Sequence, residues 1–311
     1  MLGRRWITEN EGLGIGRDVD AVGPVLVTSS MVLAAYTIVT SSSYGWGSAH
    51  TLAFGGLAVV LLIAFTVLEA RLCNPILPLR IFRIPGLASS SLIRGLLITG
   101  MYASFFIGVL YLQHVRGYGV LQTGIAFLPQ TLTLAALSFG VTARLVNRFG
   151  SLPPLLAGLV ACAGGLGLLA TVGAHTSYAA GLLPAFVLIG LGAGLAFMPL
   201  LTIAMANVPP TDAGMASGIV NTSLQLAGAI GVAVLGTVAS SRTNTLIGRG
   251  EPHAAALLGG YHLAFIVALG CAGVAVLAAA VTLRTPRRPV LAAAAAPAPE
   301  GGGAVLESEA A

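Results

Sequence analysis

Lysine is absent from this sequence, so every positive side chain other than histidine is an arginine. Charge of either sign is scarce: 8% of the 311 residues are charged, against about 25% in a soluble domain. The long apolar runs hold no aspartate or glutamate near their middles; the nearest is Glu69, at the end of one run. Cysteine is limited to Cys73, Cys162 and Cys271, two of them inside apolar runs and none at metal-ligand spacing, which reads as small packing residues. His50, His114, His175, His253 and His262 show no HxxxH or HxxE spacing. No Walker-type loop and no G-x-S-x-G occurs, and Gly190–Gly194 (GLGAG) sits inside an apolar run with no strand–helix unit after it. These absences exclude an enzyme with recognisable catalytic chemistry, a metal centre and a cofactor site. A net charge of +5 would suggest nucleic acid in a soluble chain, but here the arginines lie between apolar runs, so membrane orientation accounts for them and no nucleic-acid partner is expected.

What is present is apolar. Hydrophobic residues make up 56% of the chain and the mean hydropathy is +0.93. The runs are continuous and long rather than alternating, so they read as helices and not as strands of a barrel. A helix needs about 20 residues to cross a bilayer. Eight runs reach that scale, at about 21–41, 51–69, 88–112, 120–143, 153–173, 178–205, 214–240 and 259–283. The fold class is therefore all-α, a polytopic membrane helix bundle with eight transmembrane helices. Residues 1–20 are polar and carry both charge signs, unlike a signal peptide, and read as a surface segment. Residues 71–86 read as a basic loop, and 285–311, rich in Ala, Pro and Gly, as a disordered tail. Threading eight spans puts Arg4, Arg5, Arg17, Arg71, Arg80, Arg83, Arg144, Arg148, Arg284, Arg287 and Arg288 on one side, and only Arg116, Arg242 and Arg249 on the other. That asymmetry predicts a plasma-membrane protein with both termini in the cytoplasm.

Polar residues within the runs carry the functional expectation. Arg94 lies early in the third run and either snorkels to the inner interface or faces a cavity and binds an anionic group or a carboxylate on a neighbouring helix. Glu69 is expected at the interface, pairing with Arg71 or Arg80. Gln113, Gln122, Gln130, Thr131, Thr133 and Ser138 mark the fourth run and its flanks; Asn221 and Gln225 mark the seventh. Each either bonds between helices or lines a cavity. At about 100° per residue Gly214, Gly218, Asn221, Gln225 and Gly228 form one stripe. Lipid has no use for it, so it should face other helices or a water-filled cavity. Gly190 and Gly194, and Gly214 and Gly218, are small-xxx-small pairs that allow close helix packing. Pro129, Pro184 and Pro199 are expected to kink three spans.

Five segments in order, DVDAVGPVLVTSSMVL, LEARLCNPILPLRIFR, YLQHVRGYGVLQTGIAFLPQTL, ARLVNRFG and DAGMASGIVNTSLQLAGAIGVAVLGTV, resemble the C-terminal part of a fourteen-span drug:proton antiporter of the major facilitator superfamily, of the EmrB/QacA type. The resemblance implies two additional helices at 21–87 and a six-helix C-terminal half at 88–284. It places the third, fourth, sixth and seventh spans around the substrate cavity, which makes Arg94, Gln130, Asn221 and Gln225 cavity candidates. Arg144, Asn147, Arg148 and Gly150 resemble a degenerate copy of the superfamily's G-x-x-x-D-R-x-G cytoplasmic loop. Ala143 stands for its first glycine and Asn147 for its aspartate, so the charge relay of that loop is not expected here. The implied activity is export of small amphipathic compounds against protons, in a lipid bilayer, together with a missing N-terminal six-helix half. The alternative is a non-transporting accessory half that pairs with another transporter.

Overall fold

A computed structural model of the chain describes residues 22–45, 47–71, 81 and 84–283. The N-terminal segment 1–20, Cys73, Arg80, Arg83 and the tail 285–311 lie outside the described residues. The described chain is eight long helices with no strand among the described residues: α1 Val22–Tyr44, α2 Ala49–Arg71, α3 Leu87–Val115, α4 Val120–Phe149, α5 Leu152–Leu169, α6 Tyr178–Met205, α7 Pro210–Gly248 and α8 His253–Thr282. Helices α2 to α8 are each long and apolar enough to cross a membrane, while the apolar part of α1 is the shorter stretch Val22–Ile38. An all-helical membrane bundle is thus what the composition predicts. Several helices outrun their apolar stretches. α7, with its opening 3-10 turn, has 39 residues, about 58 Å at 1.5 Å per residue, against a hydrocarbon thickness of about 30 Å. Its polar end, Ser240 to Thr245, stays helical because the backbone bonds continue once the helix is nucleated and Arg242 is a good helix former.

The core lies among α3, α5, α6 and α8. Ile93, Leu97 and Ile107 of α3 meet Leu155, Leu159 and Leu166 of α5, Phe186 and Ile189 of α6, and Ala264, Ala268 and Ala272 of α8. α5 and α6 form the most extensive pair. They approach through glycines: a Cβ on Gly192 would sit 2.7 Å from Cys162 Cβ, and one on Gly165 2.7 Å from Ala185 O. α1 and α2 pair with each other, tied by Ser30 Oγ donating to Ala58 O at 2.9 Å, and α1 also rests on α7.

The prolines act differently from one another. α4 breaks at Phe127, so Pro129 falls in the first turn of the next segment, where its missing N–H costs little. Pro184 likewise falls in the first turn of the α-helical part of α6, Leu183–Met205, which follows the helix's opening π-helical turn Tyr178–Leu182. Only Pro199 is interior to a helix. The sharpest bend in α4 has another cause: Phe139 and Gly140 leave helical geometry, with Gly140 at φ 93°, before Thr142–Phe149 resumes the helix.

Candidate functional site

The two ends of the bundle are held by different chemistry. At the α3 N-terminus, Ile81 and Leu87 pack with Ala204 of α6 and Ala216 and Val220 of α7. Asn207, just past α6, donates to Pro85 O at 3.1 Å. At the opposite end Arg116 Nη1 donates to Ala174 O at 3.1 Å and Thr176 O at 2.7 Å, and Tyr111 Oη to Gly173 O at 2.9 Å. His262 Nε2 lies 2.7 Å from Val172 O, and Tyr178 Oη donates to Ala126 O at 2.8 Å. The α5–α6 loop is therefore clasped by α3 and α8. Reading apolar runs does not reveal this clasp, because its acceptors are main-chain carbonyls, which leave no trace in side-chain type.

α3 and α7 meet through small residues. A Cβ on Gly95 would lie 2.9 Å from Ala227 Cβ, and one on Gly231 2.8 Å from Thr99 Cγ2; Gly228 has the Tyr102 ring directly over it. Thr99 Oγ1 donates across the contact to Ala227 O at 3.3 Å. On a helical wheel this contact is centred roughly 90° from the middle of the Gly214–Gln225 stripe. Only Gly228, at the edge of the stripe, is held in it. Gly214 and Gly218 have open space where a Cβ would go, and Asn221 and Gln225 are exposed. Gln225 borders a cleft of about 680 Å³ with Ile38 of α1 and Tyr102 and Phe106 of α3. Gly218 borders a second cleft against Pro24, Thr28 and Met31 of α1.

The other pair of glycines belongs to the α4–α6 contact. Gly190 lies against the main chain of Gln130, and a Cβ on Gly194 would be 2.8 Å from Leu137 Cβ. Gln130 is buried, and its Oε1 accepts from the fully buried Ser104 Oγ at 3.2 Å. It bonds between helices α3 and α4. Thr133 and Ser138 bond to the carbonyls four residues back, at 2.6 and 2.9 Å, so their hydroxyls are satisfied within α4. Thr142 does reach across, donating to Gly194 O at 2.9 Å. Gln122 Oε1 accepts from Gly119 N at 3.2 Å and caps the start of α4.

Three further polar features complete the face. Arg94, half-buried on α3, stands over the Phe197 ring of α6 with its guanidinium carbon 5.5 Å from the ring centre. Its Nε and Nη1 are buried and hydrogen-bond nothing among the described residues. Glu69 is buried at the end of α2 while Arg71 is exposed. Arg144, Asn147 and Arg148 are exposed on the last segment of α4, and Arg148 stands over the Phe149 ring at 5.3 Å. Gly150 closes that helix at φ 81°, its N–H donating to Val146 O at 2.9 Å. A side chain there would be strained, which gives the matched glycine of the loop a local reason.

No three His, Cys, Asp or Glu side chains among the described residues form a metal-binding group. Cys162 is buried in the core and Cys271 is half-buried on α8, both as free thiols. Residues 21–232 match the Major Facilitator Superfamily. The chain is 34% identical over 276 residues to the puromycin resistance protein of Streptomyces alboniger, covering 87% of this chain and 55% of that one. It is 34% identical over 283 residues to a cephamycin export protein of Amycolatopsis lactamdurans, covering 90% and 55%. A multidrug resistance protein of Mycobacterium tuberculosis is 32% identical over 237 residues, covering 76% and 43%. The chain spans about half the length of these relatives.

Proposed function

Because the chain belongs to the major facilitator superfamily, we propose that it forms part of a membrane exporter of small amphipathic molecules and not an enzyme. Its relatives are named for antibiotic resistance and export. The order of its motifs favours the fourteen-span EmrB/QacA type, with residues 21–87 as the additional helix pair and 88–284 as the C-terminal half. Coupling to protons belongs to the same reading, as does a companion N-terminal half. The positive-inside asymmetry favours the plasma membrane with both termini cytoplasmic.

The observation that carries this reading is the open side of α7. Its small-residue face is spent on α3, yet Asn221 and Gln225 stay exposed, and Gln225 borders a cleft walled by Tyr102 and Phe106. Amide side chains on an otherwise apolar helix suit a wall that meets a polar ligand or water, and not acyl chains. The family resemblance assigns Arg94 and Gln130 on the neighbouring helices to the same cavity half, and Gln130 is tied to α3 by its bond to Ser104.

The test is efflux from proteoliposomes loaded with ethidium, with and without a pH gradient. One preparation holds this chain alone. The other holds it together with the part of the puromycin resistance protein that it does not cover. Efflux that needs both the added half and the gradient is the expected result. Stable pairing with no efflux under any gradient would overturn the transport reading in favour of an accessory role. Efflux that ignores the gradient would overturn proton coupling alone.

A further inference from the structure

The first turns of α3 hold several donors with no acceptor among the described residues. Arg94 Nε and Nη1, Ser90 Oγ and Ser91 Oγ are all buried, and none has a hydrogen-bond partner among the described residues. Ser90 is only 1% exposed. Ser91 and Ser90 precede Arg94 by three and four residues, spacings that bring side chains to one side of a helix. Buried polar groups are hydrogen-bonded in the great majority of cases, and an orphan calls for a reason. Serines inside helices usually satisfy themselves on a carbonyl three or four residues back, as Ser89 does on Gly86 O at 3.4 Å and Ser138 on Leu134 O at 2.9 Å. Ser90 and Ser91 do not.

Snorkelling does not account for Nε and Nη1 of Arg94. A snorkelling arginine carries its nitrogens to water, whereas Nε and Nη1 are shut away from it. The Phe197 ring interacts with the face of the guanidinium, which leaves the in-plane N–H donors unused. A guanidinium has five donors and no acceptor, so whatever completes the cluster must bring acceptors and negative charge.

We propose that Arg94, with Ser90 and Ser91, binds the carboxylate of an anionic amphipathic substrate. The inference rests on the reading of this bundle as half of an export cavity and adds the charge of the ligand. A carboxylate matches the planar fork of one arginine and neutralises it. A phosphate dianion would carry a second charge, and no second arginine lies on α3 beside Ser90 and Ser91 to meet it. The position also suits a bipartite ligand. Ser91, one helical turn before Arg94, borders an apolar cavity of about 510 Å³ that Ile230 and Val234 of α7 and Val267 of α8 also line; Arg94 itself lies outside that lining. An apolar body would lie there, with its acid group at Ser91, the one member of the cluster that borders the cavity.

Binding of dansylglycine and of its uncharged methyl ester to the purified full chain in detergent tests this. Arg94→Gln is expected to weaken the acid by about tenfold or more, the scale of one lost charge-assisted pair, and to leave the ester within about twofold. Arg94→Lys, which keeps the charge and loses the fork, should weaken the acid by a smaller factor. Without ligand, Arg94→Gln should melt no lower than the parent, since it removes an unpaired buried charge; a purely structural arginine would show the reverse. Equal loss of acid and ester, or an ester that binds the parent as well as the acid, would overturn the proposal and leave the cavity reading standing. Displacement of dansylglycine by phosphatidylglycerol micelles in the parent, lost in Arg94→Gln, would overturn it by assigning the site to a lipid headgroup. Binding of neither probe to the parent would overturn the cavity reading itself.

Discussion

Gly165 shows how tightly single residues are committed. A methyl group there would sit 2.6 Å from Ile189 Cγ1 and 2.7 Å from Ala185 O, and the second of these is backbone that cannot swing away. Gly165→Ala should therefore push α5 from α6 and lower stability by about 1–3 kcal/mol, the usual scale of overpacking, read as a drop in melting temperature in detergent. Gly218→Ala is the matched control, since its Cβ would meet nothing within 4 Å; it should melt within about 0.5 kcal/mol of the parent, as changes away from packed features do. Thr142→Val removes the buried bond to Gly194 O without changing shape. Interhelical bonds in membranes average about 0.6 kcal/mol, so its effect should be smaller than that of Gly165→Ala in the same melting series. At this scale the sequence was partly readable. Small-xxx-small spacing singled out Gly190 and Gly194, which lie against α4, and equally Gly214 and Gly218, where a Cβ would meet nothing within 4 Å. It did not single out Gly158, Gly165 and Gly192 of the tightest pair, because spacing shows where a backbone can approach and not which neighbour arrives.

α4 is the element whose shape departs most from a straight span. Its apolar run shows where it lies in lipid and Pro129 hints at a break, yet the stronger bend is at Gly140, φ 93°. Nothing in the periodicity marks that glycine off from the others, and a left-handed residue becomes visible only once the chain on either side is fixed in space. An alanine at φ near +90° is strained by about 1–2 kcal/mol or more. Gly140→Ala should either cost that much or straighten α4 and swing Arg144 and Arg148 relative to α5. Spin labels at Arg148→Cys and Leu168→Cys distinguish these outcomes: an altered distance shows straightening, and an unchanged distance with a lower melting temperature shows stored strain. α7 teaches the complementary lesson. Its wheel gathers Gly214, Gly218, Asn221 and Gln225 on one stripe, but the pattern alone does not say that α3 would take the neighbouring face, which is chosen by Thr99 and Tyr102 on the other helix. The stripe is left on the open side as a consequence.

Over the whole molecule, what composition determines is the solvent and the fold class, and what it leaves undetermined is the hand-off between helices. Eight apolar runs with no acidic residue near their middles can hardly do other than form a helical bundle in lipid, and seven of the helices are long and apolar enough to span it. The clasp at the α5–α6 loop, from Arg116 and His262, was out of reach because both residues bond to backbone oxygens far along the chain. The structure does supply a geometric link that the charge rule needs. The α3 start, the α6 end and the α7 start converge in one apolar cluster, and the α3 end meets the α5–α6 loop at the opposite pole. Arg148, at the end of α4, then shares a side with the first pole, while Arg116 and Arg249 belong to the second. If arginine asymmetry orients the bundle, cysteines placed singly at Arg148 and Arg249 must react from opposite sides of the membrane in a chain whose own cysteines are replaced by serine or alanine. In whole cells a membrane-impermeant maleimide should label Arg249→Cys at once and Arg148→Cys only after permeabilisation. The reverse pattern would invert the orientation while keeping the fold, and equal labelling of both in intact cells would contradict the bundle's traverse of the bilayer.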